Sequence, residues 1–174
     1  YARRRMEVYG ATTADFAAIK VKNSRHGLEN PNARYRKEVT VDDVMNSAVV
    51  ADPLRLLDIC ATSDGAAAVI LATPQAAARF GHKGGVRLAA VSTVTPTFPQ
   101  TVIELPNFST DSAVVDGAGS LPFRQAIAHA AYEEAGLGPD DLDLAEVYDL
   151  STALELDWYE DIGLCGEGEA ESLV

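Results

Sequence analysis

The feature that most constrains this chain is the segment 144–151, in which a short apolar run stops abruptly at Tyr148 and Asp149. A helix-start signal follows at once, because Thr152 with Glu155 three residues later has the pattern of a capping box. A strand that ends in ionisable side chains at the N-terminus of a helix is a common place for chemistry in α/β proteins. We therefore predict that this segment ends a central strand and that Tyr148 and Asp149 are candidate catalytic residues.

Small and apolar residues predict a strand over 63–71 that is buried on both faces, and a segment rich in valine and threonine predicts a further strand over 86–95. Caps, prolines and glycines predict helices over the ranges 12–26, 41–47, 74–80, 123–136 and 152–162. The alternation of strands and helices favours an α/β fold with layered, mixed and partly parallel sheets. The segment 96–120 has little periodicity, which is typical of a functional or poorly ordered loop.

The first long helix is predicted to begin at Thr12 or Thr13 and to end at Gly27, a residue type that often follows the last helical turn. Small apolar residues recur along it at helical spacing. They predict a buried stripe made of Ala14, Ala17, Ala18 and Val21.

The charge of the chain is uneven, with a net value of −12 that divides into +3 over residues 1–57 and −15 over residues 58–174. An acidic chain argues against nucleic acid as a partner. Its basic end could meet a phosphorylated small molecule or be an ordinary solvated surface. No apolar run approaches the roughly 18 residues of a membrane span. The two cysteines do not make a disulfide framework, so a reducing, cytoplasmic setting is expected.

Three stretches of the chain carry a resemblance to a known family. The segments 146–156 and 159–165 resemble the sterol-carrier-protein-X branch of the thiolase superfamily, which reads E-x-H-D-C-F-S-x-N-E-L and then Y-E-x-L-G-L-C. The segment 63–68 is similar to the D-G-A-A-A strand that closes the first half of a thiolase. The main departure is Tyr148, which stands where the branch has histidine.

The resemblance implies that the chain is an incomplete, central part of a thiolase fold. Residues 1–82 would be the end of the N-terminal half, including the loop domain, and residues 83–174 the start of the C-terminal half. The family's nucleophilic cysteine would lie upstream of Tyr1. Cys60 and Cys165 are accordingly expected to be unpaired and not catalytic.

A tyrosine at position 148 resembles the thiolase-like aldolases of steroid side-chain degradation. This implies retro-aldol cleavage of a steroid-derived β-hydroxyacyl-CoA, with no tightly bound cofactor and with coenzyme A as part of the substrate. It also implies a homodimer and a small partner protein with a zinc-ribbon and an OB-like fold. The match to the loop domain implies that Arg34, Arg36 and Lys37 meet coenzyme A phosphates and that Thr62 and Ser63 lie near its pantetheine arm.

Each of these assignments has a structural alternative. Tyr148 could be a packed residue at a strand end, Asp149 a turn former, and the basic loop at 34–37 a solvated surface. The histidines do not cluster with cysteines or carboxylates at metal-ligand spacing, so we predict no metal site. Two other functions stay open, a conventional acyl-CoA thiolase of the sterol-carrier-protein-X type and a non-catalytic acyl-CoA- or lipid-binding module.

Overall fold

The structure is a computed structural model that describes residues 1–95, 121 and 123–174. The described part contains α-helices α1 (Ala2–Tyr9), α2 (Thr13–Glu29), α3 (Val41–Met45), α4 (Pro74–Arg79), α5 (Phe123–Ala135) and α6 (Thr152–Asp161). It also contains strands β1 (Val49–Ala51) and β2 (Leu54–Arg55), and 3₁₀ turns at Leu56–Asp58, Pro139–Asp141 and Ala170–Leu173. The predicted loop over 96–120 lies outside the described residues.

Helix α2 begins as predicted but ends later. The side chain of Thr12 accepts a hydrogen bond from the backbone N–H of Asp15, whose carboxylate accepts the N–H of Thr12 in return, which closes a capping box. The prediction that Gly27 ends the helix is wrong, since α2 continues to Glu29. The reason lies in the next loop, because a Cβ at Gly27 would stand only 3.0 Å from the carbonyl oxygen of Tyr35. The glycine permits this close approach rather than a left-handed turn.

The core lies between α2 and α6, where Phe16, Ile19 and Leu156 are fully buried. Burying a side chain of this size stabilises the fold by about 1.5–3 kcal/mol. The predicted stripe on α2 is partly wrong, because Ala17 is buried but Ala14 is exposed. The large side chains of Phe16 and Ile19, not the spacing of the alanines, decide which face of α2 meets α6.

The predicted strands over 63–71, 86–95 and 144–148 are wrong as assignments, because these described segments form no strand. The sheet of the described residues is the antiparallel pair of β1 and β2, in which Val49 faces Arg55 and Ala51 faces Leu54. A strand needs a ladder of hydrogen bonds to a neighbour, and the described residues supply none to these segments. Their apolar side chains lie open instead, with Ile70 and Val86 more than nine-tenths exposed.

Helix α1 is held against α6 by one buried arginine. Arg5 is 3% exposed and donates to Glu171 Oε1 at 2.6 Å, to Asp157 Oδ1 at 3.0 Å and to Glu160 Oε1 at 2.5 Å. These four residues, named the Arg5 cluster below, join α1, α6 and the 3₁₀ turn Ala170–Leu173. The contacts of Arg5 thus hold one face of α6 against α1.

Candidate functional site

The Tyr148–Asp149 segment leads directly into α6, as predicted, but the cap of that helix differs from the prediction. Ser151 is the N-cap residue, and its Oγ accepts from the backbone N–H of Leu154 at 3.3 Å. The predicted capping box of Thr152 and Glu155 does not form. Thr152 instead donates to Asp58 Oδ1 at 3.2 Å, and Glu155 turns toward α2.

A second predicted segment comes to lie beside this turn. The backbone N–H of Cys60 donates to the carbonyl of Leu150 at 3.1 Å, and Ile59 makes an isolated antiparallel bridge with Ser151. The chain that continues to Thr62 and Ser63 therefore starts next to the Tyr148 turn, and both residues are exposed. The structure thus brings the two segments together at the entrance of α6.

Tyr148 is 58% exposed. In the described part of the chain, the phenol is accessible to a molecule that approaches from solvent. A tyrosine hydroxyl can donate a hydrogen bond.

Asp149 is half-buried. One oxygen, Oδ2, lies 3.3 Å from Asn23 Nδ2 of α2, which donates to it. Burial raises the pKa of the Asp149 carboxyl above its ordinary value, and the nearby negative charge of Glu155 raises it further. This carboxyl is therefore more easily protonated than a solvated aspartate.

Behind Asp149 lies a polar group that joins α2 to α6, the Glu155 cluster, which consists of Lys22, Asn23, Glu155 and Tyr159. Glu155 is 1% exposed and accepts from Asn23 Nδ2 at 2.6 Å and from the Tyr159 hydroxyl at 2.6 Å. Lys22 Nζ donates to both Glu155 and Tyr159. Burial and the bond to Glu155 raise the pKa of the Tyr159 phenol, which keeps it a donor. Three donors thus surround the side-chain oxygens of Glu155.

Sequence reasoning did not single out the Glu155 cluster as part of the site. One signal was present, because Glu155 and Tyr159 are four residues apart and therefore share one face of the otherwise apolar first turns of α6. The other half was not readable, since nothing in the sequence says that Lys22 and Asn23 of α2 face α6.

The basic residues Arg34, Arg36 and Lys37 lie in the exposed loop after α2. The guanidinium of Arg34 stands 5.3 Å from the ring centroid of Tyr35, and it lowers the pKa of that phenol. Arg36 Nη2 donates to the carbonyl of Leu28 at 3.3 Å. The loop begins seven residues after Asn23, which is about 10 Å along a helix axis at 1.5 Å per residue. The loop therefore lies away from Asp149, at the C-terminal end of α2, the helix that carries Asn23.

Both cysteines, Cys60 and Cys165, are unpaired, as predicted. Burial raises the pKa of the Cys165 thiol, which disfavours the reactive thiolate. In the described part of the chain, no group of three or more histidine, cysteine, aspartate and glutamate side chains is arranged to hold a metal ion. None of the described helices is both long and apolar enough to cross a membrane.

Comparison with known proteins decides the family. A model described as "Thiolase C-terminal domain-like" matches residues 110–174. The benzoylsuccinyl-CoA thiolase subunit BbsB of Thauera aromatica is 36% identical over 97% of this chain and 40% of its own length. Sterol carrier protein 2 of Rattus norvegicus is 36% identical over 99% of this chain and 30% of its own length. The chain is thus similar to members of the thiolase superfamily over nearly its whole length.

Two further proteins that this chain is similar to are named for lyase or aldolase chemistry. A 17-hydroxy-3-oxo-4-pregnene-20-carboxyl-CoA lyase of Mycobacterium tuberculosis is 34% identical over 99% of this chain and 43% of its own length. The solved structure of the Ltp2-ChsH2(DUF35) aldolase matches with a TM-score of 0.71 and 26% identity over 99% of this chain and 43% of that one.

The match to sterol carrier protein 2 and to the aldolase confirms the predicted branch, and the fold is an incomplete α/β part of a thiolase fold. The chain spans about 30–43% of the length of these relatives. The division at residues 82 and 83 stays a prediction.

Proposed function

We propose that the full-length protein containing this chain acts on acyl-CoA thioesters and cleaves a steroid-derived β-hydroxyacyl-CoA to a ketone and a shorter acyl-CoA. The observation that carries the proposal is Tyr148, an accessible phenol beside Asp149, at a position where the sterol-carrier-protein-X branch has histidine. The names of the Mycobacterium tuberculosis lyase and of the matched aldolase structure support the same chemistry.

The reaction needs no oxidant, reductant or second substrate. A base takes the proton of the β-hydroxyl group, and the oxygen electrons form the ketone carbonyl as the bond between Cα and Cβ breaks. The bonding pair passes into the thioester enolate. A proton returned to Cα completes the shorter acyl-CoA, so the proton count is unchanged.

Two adjacent groups fit the two tasks of this reaction. The Tyr148 hydroxyl can donate a hydrogen bond to a developing oxyanion, as donors in an oxyanion hole do. The Asp149 carboxyl, whose pKa is raised by burial and by Glu155, can take and return a proton. Protein groups tuned toward the working pH are the ones that serve best in this way.

The remaining parts of the proposal concern the coenzyme A moiety and the assembly. Arg34, Arg36 and Lys37 are exposed cations that can meet its phosphates, and Thr62 and Ser63 lie where its pantetheine arm would pass. We propose no tightly bound cofactor. The matched aldolase structure is named for Ltp2 together with ChsH2(DUF35), which supports a partner protein. We propose that this partner is small, with a zinc-ribbon and an OB-like fold. A homodimer in a cytoplasmic setting completes the proposed assembly.

A second function is favoured by one observation. The Thauera aromatica relative, named as a thiolase subunit, is at 36% identity as similar to this chain as the lyase is. A thiolase would release acyl-CoA only when free coenzyme A attacks the substrate. This requirement separates the two reactions.

The test is cleavage of a steroid β-hydroxyacyl-CoA by the full-length protein without added coenzyme A, with ketone and acyl-CoA measured by mass spectrometry. We expect both products, and we expect Tyr148→Phe to lower the cleavage rate by about a hundred- to a thousandfold, the usual cost of losing one oxyanion donor. Tyr9→Phe is the matched control, because Tyr9 bonds Glu167 far from this turn, and it should stay near the wild-type rate.

Two results would overturn the proposal. Product formation that depends on free coenzyme A would establish thiolysis. A Tyr148→Phe protein that cleaves at the wild-type rate would make Tyr148 structural.

A further inference from the structure

One amide group is shared by two carboxylates from different parts of the fold. Asn23 Nδ2 donates to Glu155 Oε2 of α6 at 2.6 Å and to Asp149 Oδ2 of the preceding turn at 3.3 Å. An asparagine Nδ2 carries two hydrogens, so both bonds can form at once. Aspartate at this position would add a third acidic group, and leucine would leave both carboxylates without this donor.

The two carboxylates are not equivalent. Glu155 is fully buried and is bonded by Lys22, Tyr159 and Asn23, which stabilise its charge. Asp149 is half-buried beside the accessible Tyr148. The side of Asn23 that faces Glu155 is thus fixed by a rigid group, and the side that faces Asp149 meets the open turn.

We propose that Asn23 is a positioning residue, anchored by Glu155, that fixes the Asp149 carboxyl beside Tyr148 so that Asp149 can exchange the proton of the reaction. The assignment rests on the proposed function, in which Asp149 is the proton-transfer group. It adds to that function a residue on α2, which lies 126 positions before Asp149 in the chain.

The charges around Asp149 act in opposite directions. Glu155 on α6 raises the pKa of the Asp149 carboxyl, whereas Lys20 on α2 and the hydrogen bond from Asn23 lower it. Removing Asn23 should therefore raise this pKa, and neutralising Glu155 should lower it. If Asn23 and Glu155 only packed the helices together, the two substitutions would not shift the pKa of Asp149 in opposite directions.

The experiment compares pH profiles of kcat/KM for the full-length protein and its variants Asn23→Ala and Glu155→Gln. We expect Asn23→Ala to lower kcat at least tenfold with KM changed less than threefold, which is the pattern of a group that acts on the reacting atoms rather than on ground-state binding. The acid limb of the profile should move to higher pH in Asn23→Ala and to lower pH in Glu155→Gln. Asn46→Ala is the matched control, because among the described residues the Asn46 amide donates to the carbonyl of Asp42 in α3, and it should leave the profile unchanged.

A wild-type profile and rate in Asn23→Ala would overturn the assignment, as would shifts of the same sign in the two variants. If Asn23→Ala does not fold, Asn23→Ser is measured in its place, because a hydroxyl with a single hydrogen cannot donate to both carboxylates at once and changes of the same sign are expected. A wild-type protein that does not cleave the substrate would instead refute the proposed function. In that case the Asp149 carboxyl, followed by carbon-detected NMR titration, still tests the positioning, because its pKa must move up in one variant and down in the other.

Discussion

Helix α6 carries a buried charged cluster on each of two faces, and the two clusters differ in the parts of the structure that they connect. In the Arg5 cluster, one guanidinium is enclosed by the carboxylates of Asp157, Glu160 and Glu171, and Arg5 is 3% exposed. In the Glu155 cluster, the buried group is the carboxylate, and its cation, the side chain of Lys22, is 31% exposed. The first cluster ends within the helices, whereas the second continues through Asn23 to Asp149 and the open turn.

The difference indicates a division of tasks on one helix. A guanidinium offers five donors in a rigid fork, which suits the enclosure by three carboxylates. Its bidentate bond to Glu171, at 2.6 and 2.8 Å, ties the C-terminal turn to α1. The amide of Asn23, which bridges two carboxylates, contributes less to holding the helices together. It does couple the position of the Asp149 carboxyl to that of Glu155. We infer that the Arg5 face stabilises the fold and the Glu155 face prepares the site.

The sharpest way to break this comparison is Arg5→Met, which keeps an unbranched apolar stem and removes the guanidinium. Breaking a buried ion pair by removal of one partner costs about 3–5 kcal/mol, so the free energy of unfolding in urea should fall by that amount. The folded fraction should keep the wild-type rate. Arg3→Met is the control, because its pair with Asp52 is exposed and should contribute less than about 1 kcal/mol. Equal effects of the two substitutions would contradict the role given to the Arg5 cluster.

The corresponding change on the other face is Lys22→Met. We expect a smaller loss of stability, about 1–3 kcal/mol, because Tyr159 and Asn23 still donate to Glu155 after the cation is gone. Activity should fall even in the folded protein, since Glu155 and the amide that it holds can shift. Lys83→Met, an exposed lysine outside both clusters, should change neither unfolding nor turnover. A Lys22→Met protein with full activity would remove the distinction between the two faces.

The smallest expected effect concerns the pH dependence of stability at Asp149. Its pKa is raised in the folded state, so its favourable contribution is complete below the unfolded value and is lost as pH rises through the folded value. Asp149→Asn should therefore raise the free energy of unfolding at pH 7 relative to pH 3.5, by less than about 1 kcal/mol. Denaturant melts at the two pH values measure the difference. A stability gain that is larger at pH 3.5 would reverse the sign of this argument.

Local signals in the sequence predicted the helices well. The helix starts predicted near Thr12, Val41 and Pro74 are confirmed, because capping involves residues only a few positions apart. The strands failed for the opposite reason, since a ladder depends on a neighbour that a local pattern cannot supply. The failure at 63–71 is thus informative, because its apolar residues have the composition of a buried strand while lying exposed.

The candidate site was predicted in the same uneven way. Tyr148 and Asp149 stand out because they interrupt an apolar run just before a helix, and this is a pattern of adjacent residues. Asn23 and Lys22 could not be found, because their role depends on which face of α2 meets α6. Large side chains such as Phe16 and Ile19 decide that face, and the alanine spacing pointed elsewhere.

The bridge made by Asn23 also has a consequence for the time course of folding. Its two bonds join residues 126 and 132 positions apart, and the bond between Asp58 and Thr152 spans 94 positions. Contacts of such long sequence separation require closure of large loops, which costs conformational entropy before the contacts stabilise the fold. They therefore form later than the turns of a helix. A chain emerging from the ribosome would hold α1, α2 and their caps well before it could hold the turn at Tyr148. The candidate site is therefore among the last parts of the described chain to form.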